Sequence, residues 1–252
     1  MVHTRLEEVA MNAWPALQQM LFDGWILRFA QGYTKRANSV NPLFESRLDV
    51  VDKIVVCERL FAAKGLPTVF RLTPFASPLQ LDEVLAQRGY GVIDQTLVMH
   101  LDLQHAHVQD TPRVTVRAEA LHDWLAIFCR LSEEPPAQHH THAAMLDLIP
   151  ATRLLASLSE AGTVVACGMG VLEQDYFGLF SLVTAPQQRN RGHGTRLVVG
   201  MLQWAKDHGA TQAYLQVVQR NTPARHVYTK VGFQEAYRYW YRVSPVGQAV
   251  RR

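Results

Sequence analysis

The stretch Val183-Thr-Ala-Pro186-Gln-Gln-Arg189-Asn-Arg191-Gly192-His193-Gly194-Thr195 decides how this chain folds. It lies between an apolar run that reads as a strand and a periodic run that reads as a helix. Two glycines allow a tight turn and let backbone approach a ligand. The helix behind the loop begins with unpaired N–H groups and a partial positive charge. Arg189 and Arg191 add full charges, so the loop reads as a pyrophosphate site. Two phosphate-binding patterns fail here. A Walker A loop ends Gly-Lys-Ser/Thr, whereas Gly194-Thr195-Arg196 has no lysine in that place. A dinucleotide fingerprint needs a third glycine where Leu197 stands. It also needs an acid closing the next strand, which instead ends Gln216-Val217-Val218-Gln219.

A third pattern, Arg/Gln-x-x-Gly-x-Gly/Ala, is the acetyl-coenzyme A loop, and Arg189 to Gly194 matches it. A second segment follows the next strand: Asn221-Thr-Pro-Ala224-Arg-His-Val-Tyr228-Thr-Lys-Val-Gly232-Phe233. Here the chain resembles the GNAT superfamily of N-acetyltransferases, whose members typically end in Asn-x-x-Ala-x-x-x-Tyr-x-x-x-Gly-Phe. The resemblance covers Val114 to Val243 and includes the order of strands and helices. It implies an α/β (α+β) fold with a mixed, mostly antiparallel central sheet flanked by helices.

The resemblance also implies a site. The pantetheine arm of acetyl-CoA slots between two splayed central strands, beside Leu182 and Val183. Arg189, Arg191, Gly192, His193, Gly194 and Thr195 hold the pyrophosphate. Asn221 contacts the cofactor arm, and Tyr228 lies near the sulfur. A neutral amine attacks the thioester, and Tyr228, protonated at neutral pH, supplies the thiolate's proton. Backbone N–H groups near Val183 stabilise the oxyanion. Glu173 and Asp175 flank a turn between central strands, and either can relay the amine's proton, directly or through water. The residues also permit plainer readings. Tyr228 shares a helical face with Ala224, Val227 and Val231, as a core tyrosine does. Asn221 or Thr222 can cap the following helix.

The rest of the chain sets the frame. Its 252 residues suffice for one large domain or two ordinary ones. A hydrophobic fraction of 48% excludes extensive disorder. Cys57, Cys129 and Cys167 are too far apart for a zinc knuckle or disulfide framework, which points to a reducing, cytoplasmic setting. A net charge of +3 without a basic stripe argues against nucleic acid. No apolar run approaches the roughly 18 residues that span a bilayer. The expected partner is therefore a small-molecule or peptide amine, with no metal; a homodimer is allowed for.

Two domains are expected, 1–105 and 112–243, with Gln104 to Pro112 as the linker. In the front half, Leu6 to Leu21 reads as a helix broken or kinked at Pro15. Ser77-Pro78 reads as an N-cap with proline at the first helical position. Ser77 to Tyr90 parallels Thr222 to Phe233, but Leu85 stands where Tyr228 does. The front half is thus read as a degenerate GNAT-like half without a cofactor loop. The loop Gly32 to Pro42, with Lys35, Arg36, Asn38 and Asn41, reads either as an anion-binding acceptor loop or as a solvated turn. Trp25 reads as core. Behind the linker, Val114–Val116 reads as a strand. His139-His140-x-His142 reads as solvated, within a candidate substrate loop from Ser132 to His142. A non-catalytic acyl-CoA sensor or scaffold is the alternative to an enzyme.

Overall fold

The computed structural model describes residues 2–106, 108, 112–133 and 139–245. Its front elements are α1 (Val2–Asn12), β1 (Gln18–Phe22), β2 (Trp25–Phe29), β3 (Val40–Pro42), α2 (Val50–Ala62), β4 (Val69–Leu72), α3 (Leu81–Gln87) and β5 (Gly91–Asp102). Then come β6 (Arg117–Ala118), α4 (Leu121–Ser132), α5 (His139–Asp147), β7 (Thr152–Glu160), β8 (Thr163–Glu173) and β9 (Tyr176–Thr184). The chain ends with α6 (His193–Asp207), β10 (Gln212–Val218), α7 (Thr222–Val231) and β11 (Gln234–Val243). The described residues form two compact units. One takes its residues from Met1–Ala13, Val98–Val217 and Asn221–Ala236, the other from Trp14–Leu97, Val218–Arg220 and Tyr237–Arg252.

In the first unit, β6, β7, β8, β9 and β10 lie side by side in that order. The short turns after Glu160 and Glu173 make β7, β8 and β9 an antiparallel meander. Helix α6 then carries the chain back, so β9 and β10 pair in parallel. Leu197, Val198, Met201, Leu202 and Ala205 form the buried stripe of α6. Each large apolar side chain so covered contributes about 1.5–3 kcal/mol. Trp124 of α4 is wholly buried and donates Nε1–H to the carbonyls of Ala156 (3.3 Å) and Gly168 (3.1 Å).

The second unit is ordered β1, β2, β3, β4, β11. Its core gathers Trp25, Leu27, Phe29, Ile54, Phe61, Phe70, Leu81 and Leu85. Trp25 is core, as its sequence suggests. Here too a helix, α2, links a parallel pair, with Val40 opposite Phe70.

Three elements differ from their sequence reading. The helix expected over Leu6 to Leu21 stops at Asn12, and Gln18–Phe22 is a strand. Proline cannot continue the helical ladder. Asp23-Gly24, both at positive φ, closes a two-residue hairpin that pairs Phe22 with Trp25. Leu21, assigned to the helical stripe, is 79% exposed. The helix expected from Ser77-Pro78 starts later, at Leu81, with Gln80 as its first flanking residue. The strand expected at Val114–Val116 is instead a two-residue strand at Arg117–Ala118. Part of the expected linker, 107 and 109–111, lies outside the described residues.

The loop Gly32 to Pro42 is also tied down. Asn38 Oδ1 accepts from the N–H groups of Ala30 (2.7 Å) and Gly32 (3.0 Å), and its amide donates to Thr34 O (2.8 Å). Lys35 pairs with Asp94 at 2.7 Å. Asn38 and Lys35 are thus engaged within the second unit.

One ion pair fastens β11 to α3. Asp82 accepts from Arg242 Nε (2.8 Å) and Nη2 (2.9 Å) and from Trp240 Nε1 (2.7 Å). The Arg242 guanidinium holds the Asp82 carboxyl below the usual carboxylate range. A lowered folded pKa gives stability that is present above the unfolded value and lost as pH falls through the folded one. Asp82→Asn will cost roughly 1–2 kcal/mol at neutral pH, a partly exposed pair being screened. The cost will shrink below about pH 4. Urea unfolding at a series of pH values measures both.

Candidate functional site

The site begins with one extra residue. On β8, Cys167 pairs with Val183 and Met169 with Phe180, so Ser181 and Leu182 both stand opposite Gly168. That two-against-one count is a β-bulge, and Ser181 adopts φ 48°. A Cβ on Gly168 would lie 2.4 Å from Leu182 Cδ2, so any larger residue there must push the Leu182 side chain aside. On its other side, β9 pairs with β10 only from Tyr176–Gln212 to Leu179–Leu215. From Phe180 onward the two strands part. Leu182, Val183 and Thr184 are half-buried, with backbone on the β10 side free of a strand partner.

The parted strands lead into the Gly/Arg loop. A short 3-10 turn, Pro186–Gln188, precedes Arg189, whose Nε donates to Thr184 O at 3.3 Å. Gly192 caps α6 in the left-handed region at φ 80°, with nothing within 4 Å of a Cβ added there. No side chain caps the helix, and the first helical bond is Arg196 N–H to Gly192 O, 3.0 Å. The N–H groups of His193, Gly194 and Thr195 have no partner among the described residues. Arg189 and Arg191 are exposed at the mouth, and Arg191 donates to Gln188 Oε1 at 3.2 Å. The His193 ring is buried. The loop residues Arg189 to Thr195 and the strand residues Leu182 and Val183 therefore meet at one end of β9.

Helix α7 gives each element of its sequence pattern a physical task. Asn221 is exposed and caps the helix, Oδ1 accepting from Ala224 N–H at 3.3 Å. Gly232 ends it in the left-handed region, and Phe233 N–H bonds to Tyr228 O at 3.0 Å. The rings of Tyr228 and Phe233 meet edge to face, 6.2 Å apart. Burial pushes the Tyr228 hydroxyl up to about 12. That hydroxyl has no hydrogen-bond partner among the described residues.

Glu173 and Asp175 are at the far end of the β8–β9 hairpin. Glu173 accepts from Arg5 Nη2 at 3.0 Å and from Asn12 Nδ2 at 3.0 Å, which docks α1 on the hairpin. It lies six residues along β8 from Cys167, the partner of Val183, hence about 20 Å from Val183. Asp175 accepts from Thr211 Oγ1 at 2.8 Å. The histidines are divided. His140 is exposed, whereas His139 and His142 are buried against Phe128, ring centroids 5.5 and 5.4 Å away. Burial lowers His142 to about 4, so it is a neutral core imidazole rather than a solvated one. Apolar neighbours three and four residues apart on α4 were the sequence signal for this, and the polar name of the residue hid it. Residues 134–138 of the candidate substrate loop lie outside the described residues. Cys57 and Cys167 are buried with thiols pushed up to about 12, which leaves both unreactive at neutral pH.

The front half repeats this local geometry with two differences. Tyr90 N–H bonds to Leu85 O at 3.0 Å, as Phe233 does to Tyr228, and Gly89 and Gly232 both hold positive φ. Leu85 has no proton to offer. Helix α2 carries Asp49 as its cap, with Oδ1 accepting from Val51 N–H (2.8 Å) and Asp52 N–H (3.2 Å). A carboxylate fills the helix start that stands open at Gly192.

Comparison with known proteins agrees with this geometry. A family model described as the probable histone acetyltransferase Rv0428c C-terminal matches residues 4–242. An uncharacterized N-acetyltransferase of Bacillus subtilis (strain 168), YobR, is 29% identical over 243 residues, covering 95% of this chain and 97% of that protein. A solved GCN5-related N-acetyltransferase from Kribbella flavida superposes with a TM-score of 0.72 at 15% identity, covering 96% of this chain and 95% of that one. A tandem GNAT protein of the clavulanic acid biosynthesis pathway reaches 0.60 at 15% identity, over 79% of this chain and 70% of that one. At these identities the solved structures share the fold.

The bulge supplies a test. In Gly168→Ala the new methyl must displace Leu182 and crowd Met201, whose Sδ lies 3.2 Å from its position. The substitution will cost about 1–3 kcal/mol. A thermal melt measures the loss, and an unchanged melt means that Leu182 does not lie across Gly168.

Proposed function

We propose a reaction for this site from one premise: the chain belongs to the Rv0428c C-terminal acetyltransferase family and is a GNAT N-acetyltransferase. The donor is acetyl-CoA, and the acceptor is an amine of a small molecule or peptide. The open start of α6 beside the parted strands carries this reading. A diphosphate needs several donors at once, and three unpaired N–H groups, a helix dipole and two arginines fit it. The clear space over Gly192 fits a group lying against bare backbone.

When bound, acetyl-CoA supplies an acetyl group activated as a thioester. The loop Arg189 to Thr195 holds the pyrophosphate. Leu182 and Val183 line the pantetheine arm, whose amides take up the unpaired backbone of β9. Asn221 spends Oδ1 on its cap and keeps Nδ2 for the cofactor arm. Tyr228 carries its proton at Oη throughout the neutral range and holds it ready for a leaving thiolate. N–H groups of β9 near Val183 face charge that builds on the carbonyl oxygen. The attacking amine loses its proton to water. About 20 Å of strand and the grip of Arg5 and Asn12 argue against direct transfer to Glu173. The front half is read as a GNAT-like half whose cofactor site is closed by Asp49 and whose Leu85 replaces the acid.

Two measurements test this. Saturating acetyl-CoA will raise the melting temperature, because a ligand held only by the folded state stabilises it. No shift removes the donor assignment. Tyr228→Phe will lower kcat about a hundredfold while the KM for acetyl-CoA changes little. With the hydroxyl at about 12, wild-type kcat will show no falling limb near pH 10. An unchanged kcat in the variant contradicts the acid role, and a limb near pH 10 contradicts the upward shift of the hydroxyl.

A further inference from the structure

We propose, on the footing of the donor assignment above, that His193 takes up a proton when acetyl-CoA binds, so that cofactor affinity falls as pH rises through the neutral range. A buried imidazole atom with nothing to bond carries this. His193 is 6% exposed, and its Nδ1 is shut off from water with no hydrogen-bond partner among the described residues. Buried polar atoms are ordinarily paired, and the exceptions gather where a functional group, a water or an ion belongs.

His193 is the first residue of α6. Its own N–H is one of the three open donors at the helix start. Covalent geometry holds Nδ1 within about 5 Å of that nitrogen in every rotamer. The neighbours in the chain are Gly192 and Gly194, so neither has a side chain to screen the ring from a bound anion. Nothing lies within 4 Å of a Cβ added at Gly192, which leaves that anion room.

The charges around the ring set the direction of the effect. The Glu160 carboxyl, at the end of β7, is held below its ordinary range first by its bond from Arg196 of α6 and in smaller part by His193. Arg189 and Arg191 stand exposed in the same loop, and the helix start adds a partial positive charge. A diphosphate brings negative charge among these cations. An opposite charge within about 4–6 Å favours the charged form of a titrating group. Imidazole is the side chain whose charge ordinarily changes between about pH 5 and 8. The solvent gives up the proton, and the imidazolium becomes a further cation of the loop while the cofactor is held. By linkage, a proton drawn in by the cofactor strengthens the cofactor's own binding.

Calorimetry of acetyl-CoA binding, in buffers of different ionisation heat and without an acceptor amine, counts the protons taken up. The 3′-phosphate of the cofactor is a monoester with a pKa of about 6 and contributes a share of its own, which a His193→Gln variant retains. The wild-type chain will take up more protons at pH 7 than His193→Gln. The affinity advantage of the wild-type chain will be about tenfold larger near pH 5.5 than near pH 8.5. Equal proton counts in the two chains overturn the proposal and leave the donor assignment standing, whereas no binding by the wild-type chain at any pH overturns both. Should the variant fold poorly, the wild-type chain decides alone. Its His193 ring resonances, followed by NMR, will titrate at higher pH with acetyl-CoA than without, and an unchanged titration overturns the proposal.

Discussion

Beyond Leu179 the strands β9 and β10 no longer pair, and the site depends on that parting. Its local cause is a single surplus residue, the Ser181-Leu182 step opposite Gly168. A bulge raises local twist and turns the strand away from its regular course. Three arrangements support it. Gly168 leaves room for Leu182, Trp124 takes the Gly168 carbonyl, and Leu197 and Met201 of α6 close the space over the same residue. The same helix that packs beneath the bulge starts, about one turn before Leu197, with the unpaired N–H groups of the loop. Packing and the open loop are thus carried by one element. A change in the core of α6 will be felt at its open start, since close-packed interiors transmit strain.

The two halves share one arrangement and differ at two matched positions. Both contain a parallel strand pair bridged by a helix, and both follow it with a short helix closed by a left-handed glycine. In α6 the cap is Gly192, with no side chain to satisfy the first turn. In α2 the cap is Asp49, which satisfies two N–H groups and places a negative charge where an anion would sit. The later helix differs in the same direction, Tyr228 against Leu85. Two side chains of the front half, Asp49 and Leu85, thus stand where the rear half has an uncapped helix start and a tyrosine, while the backbone geometry persists.

Much of this was legible in the sequence, for identifiable reasons. The loop from Arg189 to Thr195 and the run from Asn221 to Phe233 are local. Caps, left-handed glycines and helix starts need only neighbours in sequence. The meander was legible because its turns are short. What failed was non-local or masked by residue type. Leu17 and Leu21 continue a helical stripe in sequence, but Asp23-Gly24 forms a hairpin that outweighs it. His139 and His142 look solvated because the residue is polar, yet Phe128 and burial make them core. The distance between Glu173 and the parted strands follows from register, which no spacing in the chain reveals. Asn38 and Asn41 looked like donors for a ligand and are used by their own loop.

The most direct measurement is hydrogen exchange, residue by residue, with and without acetyl-CoA. Binding at the open helix start will slow exchange over Ser181–Thr184 and at His193, Gly194 and Thr195. The amides of Val51 and Asp52, already bonded to Asp49, will not change. Slowed exchange at the start of α2, or none at the start of α6, contradicts the central claim that an uncapped helix beside parted strands is what holds the cofactor.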